Sequence, residues 1–241
     1  AEEACGLLFL STTHRDEFMR RFVPADKRQD FLEKSVVIGN PLERFWEEHA
    51  AAPRTALVED GRLHVLLVGR INKVKNIPMA AMAVGELRSR GVEATLTVVG
   101  EVEDEGELAR IKAYDHVEVL PFMGPEELVD VYRTHDVFLL PSTVETFGRV
   151  YVEAMSQGLP VIYTKGQGFD GRYPDGEVGY AVSPDDPLEI ADRIQAVAGD
   201  YAGLSERSLR HAADYYEDSI VDKVESFYER SMAAAKCEVV A

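Results

Sequence analysis

The segment Glu145-Thr-Phe-Gly-Arg-Val-Tyr-Val-Glu153 holds two carboxylates with seven residues between them, where an apolar run (137–141) gives way to an apolar stripe at Val150, Val152, Ala154 and Met155. A strand that turns straight into a helix leaves the first helical amides unpaired, and those N–H groups together with the helix dipole favour an anion. Gly148 leaves room for a phosphate to approach the backbone, so a diphosphate fits this position. Carboxylates repel phosphate and suit hydroxyls better: Glu145 is placed to accept hydrogen bonds from a sugar, and Glu153 from both hydroxyls of a ribose. A plainer reading makes Ser142-x-x-Glu145 a capping box, with Ser142 and Thr143 as cap residues and Glu153 a solvated helix carboxylate.

A second constellation bears on that choice. Arg70, Lys73 and Lys75 follow an apolar strand directly, in a chain of formal charge −17. Cations so placed can neutralise a departing diphosphate as its charge develops; the alternative is a solvated loop cluster.

The elements that must position these groups follow from hydropathy. Short β-branched runs alternate with segments of helical period, the pattern of βαβ units and a parallel sheet. Strands are expected at 64–69, 95–100, 117–120, 137–141, 160–164 and 180–182, and helices at 77–89, 125–134, 149–157 and 188–197. The runs His-Val-Leu-Leu-Val-Gly and Val-Phe-Leu-Leu-Pro lack polar alternation, as strands covered on both faces require. The fold class is therefore α/β, a doubly wound, Rossmann-like parallel sheet, and ligands of such sheets sit beyond the carboxyl ends of the strands. Arg70, Glu101, Pro121, Phe122, 142–145 and 165–171 occupy those ends.

Outside this region the patterning changes. Residues 1–40 offer a strand (7–11), a helix (13–22) and a strand (36–39), too little for a domain, and read as the closing edge of a preceding lobe. Residues 41–62 read as a polar linker, 63–200 as the ligand-binding domain, and 201–241 as two helices, the second with Ile220, Val224, Phe227, Tyr228 and Met232 on one stripe. The strong negative charge argues against nucleic acid and anionic membrane surfaces. No apolar run approaches the ~18 residues of a membrane span. Cys5 and Cys237 stand far apart without redox or metal spacing, so a reducing, cytoplasmic compartment is expected.

Gly69-Arg70-Ile-Asn-Lys-Val-Lys75-Asn, followed by Pro141-Ser-Thr-Val-Glu145-Thr-Phe-Gly-Arg-Val-Tyr-Val-Glu153-Ala-Met-Ser-Gln-Gly158-Leu-Pro160, resembles the C-terminal, donor-binding lobe of retaining GT-B glycosyltransferases of the family-four type. The resemblance runs over roughly 38–194 and rests on several motifs in order. It implies that Arg70 and Lys75 hold the diphosphate of a nucleoside-diphosphate sugar, UDP- or GDP-linked, while Glu145 contacts the transferred sugar and Glu153 the ribose. Thr146, Phe147 and Gly148 match a turn whose amides meet sugar and phosphate oxygens. Phe122 stands in the wall beside the base, with Val150 and Ser142 also in the donor-binding set. Arg70, Lys75 and Glu145 are the catalytic candidates on this resemblance.

The resemblance further implies transfer to a saccharide or lipid-linked acceptor, with retention and without a metal or other cofactor, on a lobe that lies outside this chain. The terminal helices would pack back toward that lobe, which could also rest on the inner face of the membrane. Where the family commonly has a Gly-Gly pair, this chain has Lys165-Gly-Gln-Gly168-Phe-Asp170-Gly171-Arg172. That loop resembles those of bacterial cell-surface polysaccharide enzymes, teichuronic-acid and capsule transferases among them. The alternative function is a nucleotide-sugar-binding module without transferase activity as an isolated fragment.

Other signals fail on context. Gly166-x-Gly168-x-x-Gly171 satisfies a dinucleotide fingerprint, but Pro174 and Gly176 follow where a helix must open. The acidic run from Glu101 to Glu107 lacks the calcium-loop pattern, no Asp-x-Asp pair occurs, and the six histidines show no ligand spacing, so no metal site is expected. Tyr151 is expected in the core.

Overall fold

Apolar runs too continuous for half-exposed strands become the centre of a sheet in the computed structural model, which describes residues 4–58 and 60–238. In chain order the elements are β1 (Leu7–Phe9), α1 (Thr12–Phe22), α2 (Arg28–Glu33), β2 (Ser35–Val37), α3 (Arg44–Glu48), β3 (Leu63–Val68), α4 (Ile77–Ser89), β4 (Ala94–Val99) and α5 (Glu105–Ile111). They continue with β5 (Val117–Leu120), α6 (Pro125–Arg133), β6 (Val137–Leu140), α7 (Arg149–Ser156), β7 (Val161–Thr164), β8 (Gly179–Val182), α8 (Pro187–Val197), α9 (Tyr201–Ala212) and α10 (Glu217–Glu238).

Strands β3 to β8 form one sheet in the order β5-β4-β3-β6-β7-β8, every pairing parallel. The order reverses between β3 and β6. With right-handed crossovers, α4 leaves β3 in one direction and α7 leaves β6 in the other, so the two helices cover opposite faces. Accordingly α4 packs on α8, and α7 on α9. Between those layers Val65, Leu66, Leu67, Phe138, Leu139 and Leu140 are fully buried. Each such side chain stabilises the fold by roughly 1.5–3 kcal/mol relative to exposure, and the doubly wound fold expected from the sequence is the fold observed.

Strands β1 and β2 pair in parallel as a separate two-stranded sheet, with Met19, Val23 and Phe31 as its own small core. Arg172 ties it to the main body by donating to the carbonyl of Ile38 at 2.9 Å. At the other end of the chain Phe227 lies against β1's approach: a Cβ on Gly6 would fall 2.7 Å from its ring.

Three sequence readings need correction. Residues 41–62 are not wholly a connector, because α3 forms within them and buries Trp46 to 2% exposure. Helix α2 also goes unread, since one or two turns do not display a period. The terminal stripe is buried only at its start: Ile220 is in the core, whereas Val224, Tyr228 and Met232 are exposed.

The remainder of 41–62 is fastened to the sheet by Asp136, which is fully buried. Its carboxylate accepts from the amides of Val58 at 2.7 Å and His64 at 2.8 Å, and Arg54 stands 3.7 Å away.

Candidate functional site

The reversal of strand order leaves a crevice between the carboxyl ends of β3 and β6, and the two loops that leave those ends are stitched together. Asn76 adopts a left-handed backbone (φ +53°) and donates through Nδ2 to the carbonyls of Pro141 at 3.2 Å and Pro184 at 2.7 Å. The Thr143 amide donates to Val74 at 2.9 Å. In the single 3-10 turn at Lys73–Lys75, Asn72 Oδ1 accepts from the Lys75 amide. The Lys75 stem runs over Gly69, and its Nζ reaches Glu145 Oε2 at 2.8 Å. Lys75 and Glu145, which lie 70 residues apart, thus form a largely buried ion pair.

The turn at 145–148 is braced from its other side by the 165–171 loop. Gln167 Oε1 accepts from the Glu145 amide at 2.9 Å, and the Gly168 amide donates to Glu145 at 2.8 Å. Gly168 lies so close to the Thr146–Phe147 peptide that a Cβ would fall 2.0 Å from the Thr146 carbonyl oxygen. No helix opens in this loop, which removes the structural basis for a dinucleotide fingerprint.

Helix α7 starts at Arg149 from Gly148, whose φ is +80°, and no side chain caps it. The capping-box reading therefore fails, because Ser142 lies well upstream of the helix start and its Oγ is buried with no hydrogen-bond partner among the described residues. Ser142 is neither a cap nor part of the cavity wall; what it contributes to the site is its carbonyl, which accepts from Thr164 Oγ1 at 2.9 Å. The uncapped first turn of α7 retains the free amides and dipole that favour an anion.

A cavity of about 440 Å³ opens beside this turn, with Arg70, Phe122, Arg149, Val150 and Glu153 in its wall. Glu153 is only 7% exposed, which overturns its reading as a solvated carboxylate. Burial pushes its carboxyl up to about 7, against the pull of Arg149 and of the Tyr132 hydroxyl. Tyr132 donates to Glu153 Oε2 at 3.2 Å, and Trp46 meets the Tyr132 ring edge-on with centroids 5.5 Å apart. Arg149 Nη2 lies 4.0 Å from Glu153 and 2.7 Å from Glu43. Arg70 is at the mouth, 2.6 Å from Glu103.

Arg70, Phe122, Val150 and Glu153 thus face one cavity, and Lys75 and Glu145 pair next to it across Gly69. Phe122 is 74% exposed at the rim. The Phe147 ring is buried against Tyr215 with centroids 5.5 Å apart, so only its backbone can meet a ligand. Thr146 is exposed on the turn. Tyr151 is in the core as expected, its hydroxyl donating to Leu140 at 2.8 Å.

Sequence reasoning missed Glu43, Trp46, Glu103, Tyr132 and Gln167, and gave Arg149 no role. Only Trp46, the single tryptophan in a polar segment, carried a signal of its own. Among the described residues no group of three or more His, Cys, Asp or Glu is placed to hold a metal ion, and no helix is long and apolar enough to cross a membrane.

This sheet order, with its crevice at the β3/β6 reversal, is the Rossmann-like C-terminal lobe of a GT-B fold. The model of the family described as "Glycosyl transferases group 1" matches residues 62–200, and the chain belongs to that family. Among curated relatives, the D-inositol 3-phosphate glycosyltransferase of Rhodococcus jostii (strain RHA1) is 32% identical over 236 residues, covering 91% of this chain and 51% of that protein. The enzyme of the same name from Corynebacterium diphtheriae is 32% identical over 174 residues, 67% of this chain and 41% of that one. The chain spans about half the length of the curated relatives it matches.

Among solved structures, the sucrose-phosphate synthase of Thermosynechococcus elongatus superposes with a TM-score of 0.72 at 22% identity, over 94% of this chain and 58% of that one. HepE of Anabaena in complex with UDP-glucose gives 0.71 at 18% identity, over 95% and 64%. At these identities the likeness establishes the fold.

Proposed function

We propose that this chain binds a nucleoside-diphosphate sugar, UDP- or GDP-linked, and serves as the donor lobe of a glycosyltransferase that moves the sugar to a saccharide or lipid-linked acceptor. The observation that carries this reading is the buried carboxylate of Glu153 in the wall of a cavity that also takes in Arg70 and borders the uncapped start of α7. A carboxylate desolvated this far needs hydrogen-bond donors, and ribose hydroxyls supply two. The diphosphate then meets the α7 amides, Arg70 and Lys75, and the sugar meets Glu145.

In the reaction, the bond from the anomeric carbon to the diphosphate oxygen breaks, and negative charge gathers on the departing diphosphate. Arg70, Lys75 and the α7 amides stabilise that charge without requiring a metal. Glu145, held at 2.8 Å by Lys75, orients the sugar hydroxyls. We assign transfer with retention and a place in cell-surface polysaccharide synthesis, on the motifs that resemble such enzymes. A reducing cytoplasm fits the exposed free thiol of Cys5.

Calorimetry with UDP-, GDP- and ADP-sugars tests the donor site. Binding of one class is expected, with about tenfold or greater loss in Glu153→Ala and Arg70→Ala. Absence of binding by every donor, or unchanged binding by both variants, overturns the reading. Incubation of the chain with donor and a panel of acceptors tests transfer, and binding without transfer leaves it a nucleotide-sugar-binding module.

A further inference from the structure

Arg70 is the more exposed of the two proposed diphosphate cations, with 63% of its side chain accessible, and its only ion-pair partner among the described residues is Glu103. Glu103 comes from the loop after β4, yet its placement against Arg70 is closely determined. The loops after β3 and β4 are zipped by backbone bonds: the Ile71 amide donates to Glu101 at 2.8 Å, and the Glu103 and Asp104 amides donate to Ile71 at 3.1 and 3.0 Å. Gly100 lies on Gly69 so closely that a Cβ would fall 2.0 Å from the Gly69 carbonyl oxygen. Ile71 is fully buried, and Asp104 Oδ1 fixes the start of α5 by accepting from Gly106 and Glu107.

From this frame Glu103 uses both carboxylate oxygens. Oε1 accepts from Arg70 Nη1 at 2.6 Å and Oε2 from Asn72 Nδ2 at 2.7 Å. Asn72 in turn accepts from the Lys75 amide at 3.2 Å, so one hydrogen-bonded chain joins Arg70, Glu103, Asn72 and the turn that carries Lys75. The side of the pair on which Glu103 stands decides its role. Arg70 lines the cavity and Glu103 lies outside the wall. A carboxylate standing where a phosphate would bind would compete with it; one behind the guanidinium takes a single N–H of five and leaves the others for the ligand.

We propose that Glu103, seated by Asn72, is a positioning residue that holds Arg70 in its diphosphate-binding orientation and couples it to the Lys75 turn. The proposal rests on the donor-site reading above. A free arginine must surrender much side-chain freedom when it meets a phosphate, and an anchored one has already done so. Glu103 acts through Arg70 and has no contact of its own with the donor.

The test is a double-mutant cycle read by calorimetry on the full chain, with whichever of UDP, GDP or ADP the wild type binds most tightly. Glu103→Ala is expected to raise Kd about five- to tenfold in the wild-type background and to change it less than twofold in the Arg70→Ala background. Glu103→Gln, which keeps one acceptor oxygen and puts a donor where the other stood, is expected to recover part of the loss. Equal losses in both backgrounds would show a general structural role, and tighter binding by Glu103→Ala would show a competing carboxylate; either overturns the proposal. Failure of the wild type to bind any of the three diphosphates removes the donor-site reading and this one with it, whereas binding with an additive cycle removes only this one.

Discussion

The hydroxyl of Tyr132 donates to Glu153 Oε2 at 3.2 Å in surroundings that are almost wholly dry, and the carboxyl still titrates near 7. Its ordinary value is 4.5, so between 4.5 and about 7 the folded chain holds a proton that the unfolded chain has released. This contribution to stability is fully present below 4.5, is lost as pH rises through 7, and is constant beyond. Donor binding runs the other way, because ribose hydroxyls need the ionised form as acceptor. Affinity is expected to rise roughly tenfold from pH 6 to pH 8, and Glu153→Gln should flatten both the melting and the affinity profiles. Tyr132→Phe removes a hydrogen bond that favours the ionised form, and should move the affinity midpoint to higher pH.

Gly168 gives a prediction about the brace behind the Glu145 turn. Gly168→Ala forces a Cβ into the Thr146 carbonyl, and backbone on both sides must shift. A loss of about 1–3 kcal/mol is expected, together with weaker sugar-nucleotide binding as Glu145 is displaced. Gly199→Ala is the control, since its Cβ meets nothing within 4 Å, and it should stay within about 0.5 kcal/mol of wild type in urea denaturation.

How far the site was legible depends on the range over which its parts are specified. The strands that carry it were readable because β3 and β6 are covered on both faces and cannot tolerate polar alternation. Arg70 and Glu145 were visible as chemistry placed directly after those strands. Ser142 was misread because a local spacing imitates a capping box, while the actual start of α7 is set by Gly148 and the Tyr151 ring beneath it. Glu103, Gln167 and Trp46 act through contacts with segments 22 to 86 residues away, namely Arg70, Glu145 and Tyr132. No periodicity reports such contacts; the Ile71 to Val102 bridge that aims Glu103 exists only once β3 and β4 are paired.

Asp136 anchors the segment before β3. Its buried carboxylate serves two amides and sits near Arg54, so Asp136→Ala leaves two donors and a cation without their acceptor. The expected cost is on the order of 3 kcal/mol or more. Asp136→Asn retains one acceptor and should lose less. Urea denaturation orders the variants, and equal stability of wild type and alanine variant would show that the segment is held by other means.

Glu43 and Arg149 sit 2.7 Å apart at the cavity and bias Glu153 in opposite directions. Arg149 favours the ionised carboxylate and is the larger influence, while Glu43 disfavours it. Arg149→Met should therefore raise the pH at which donor affinity is half-developed, and Glu43→Gln should lower it by a smaller amount. Both side chains are about half exposed, so their mutual pair contributes little stability and neither variant should melt far from wild type. Affinity titrations from pH 5.5 to 8.5 distinguish this from simple loss of a contact, which would weaken binding at every pH and leave the midpoint where it was. Movement of both midpoints in the same direction would show that Glu43 acts on the site through the position of Arg149 and not through its own charge.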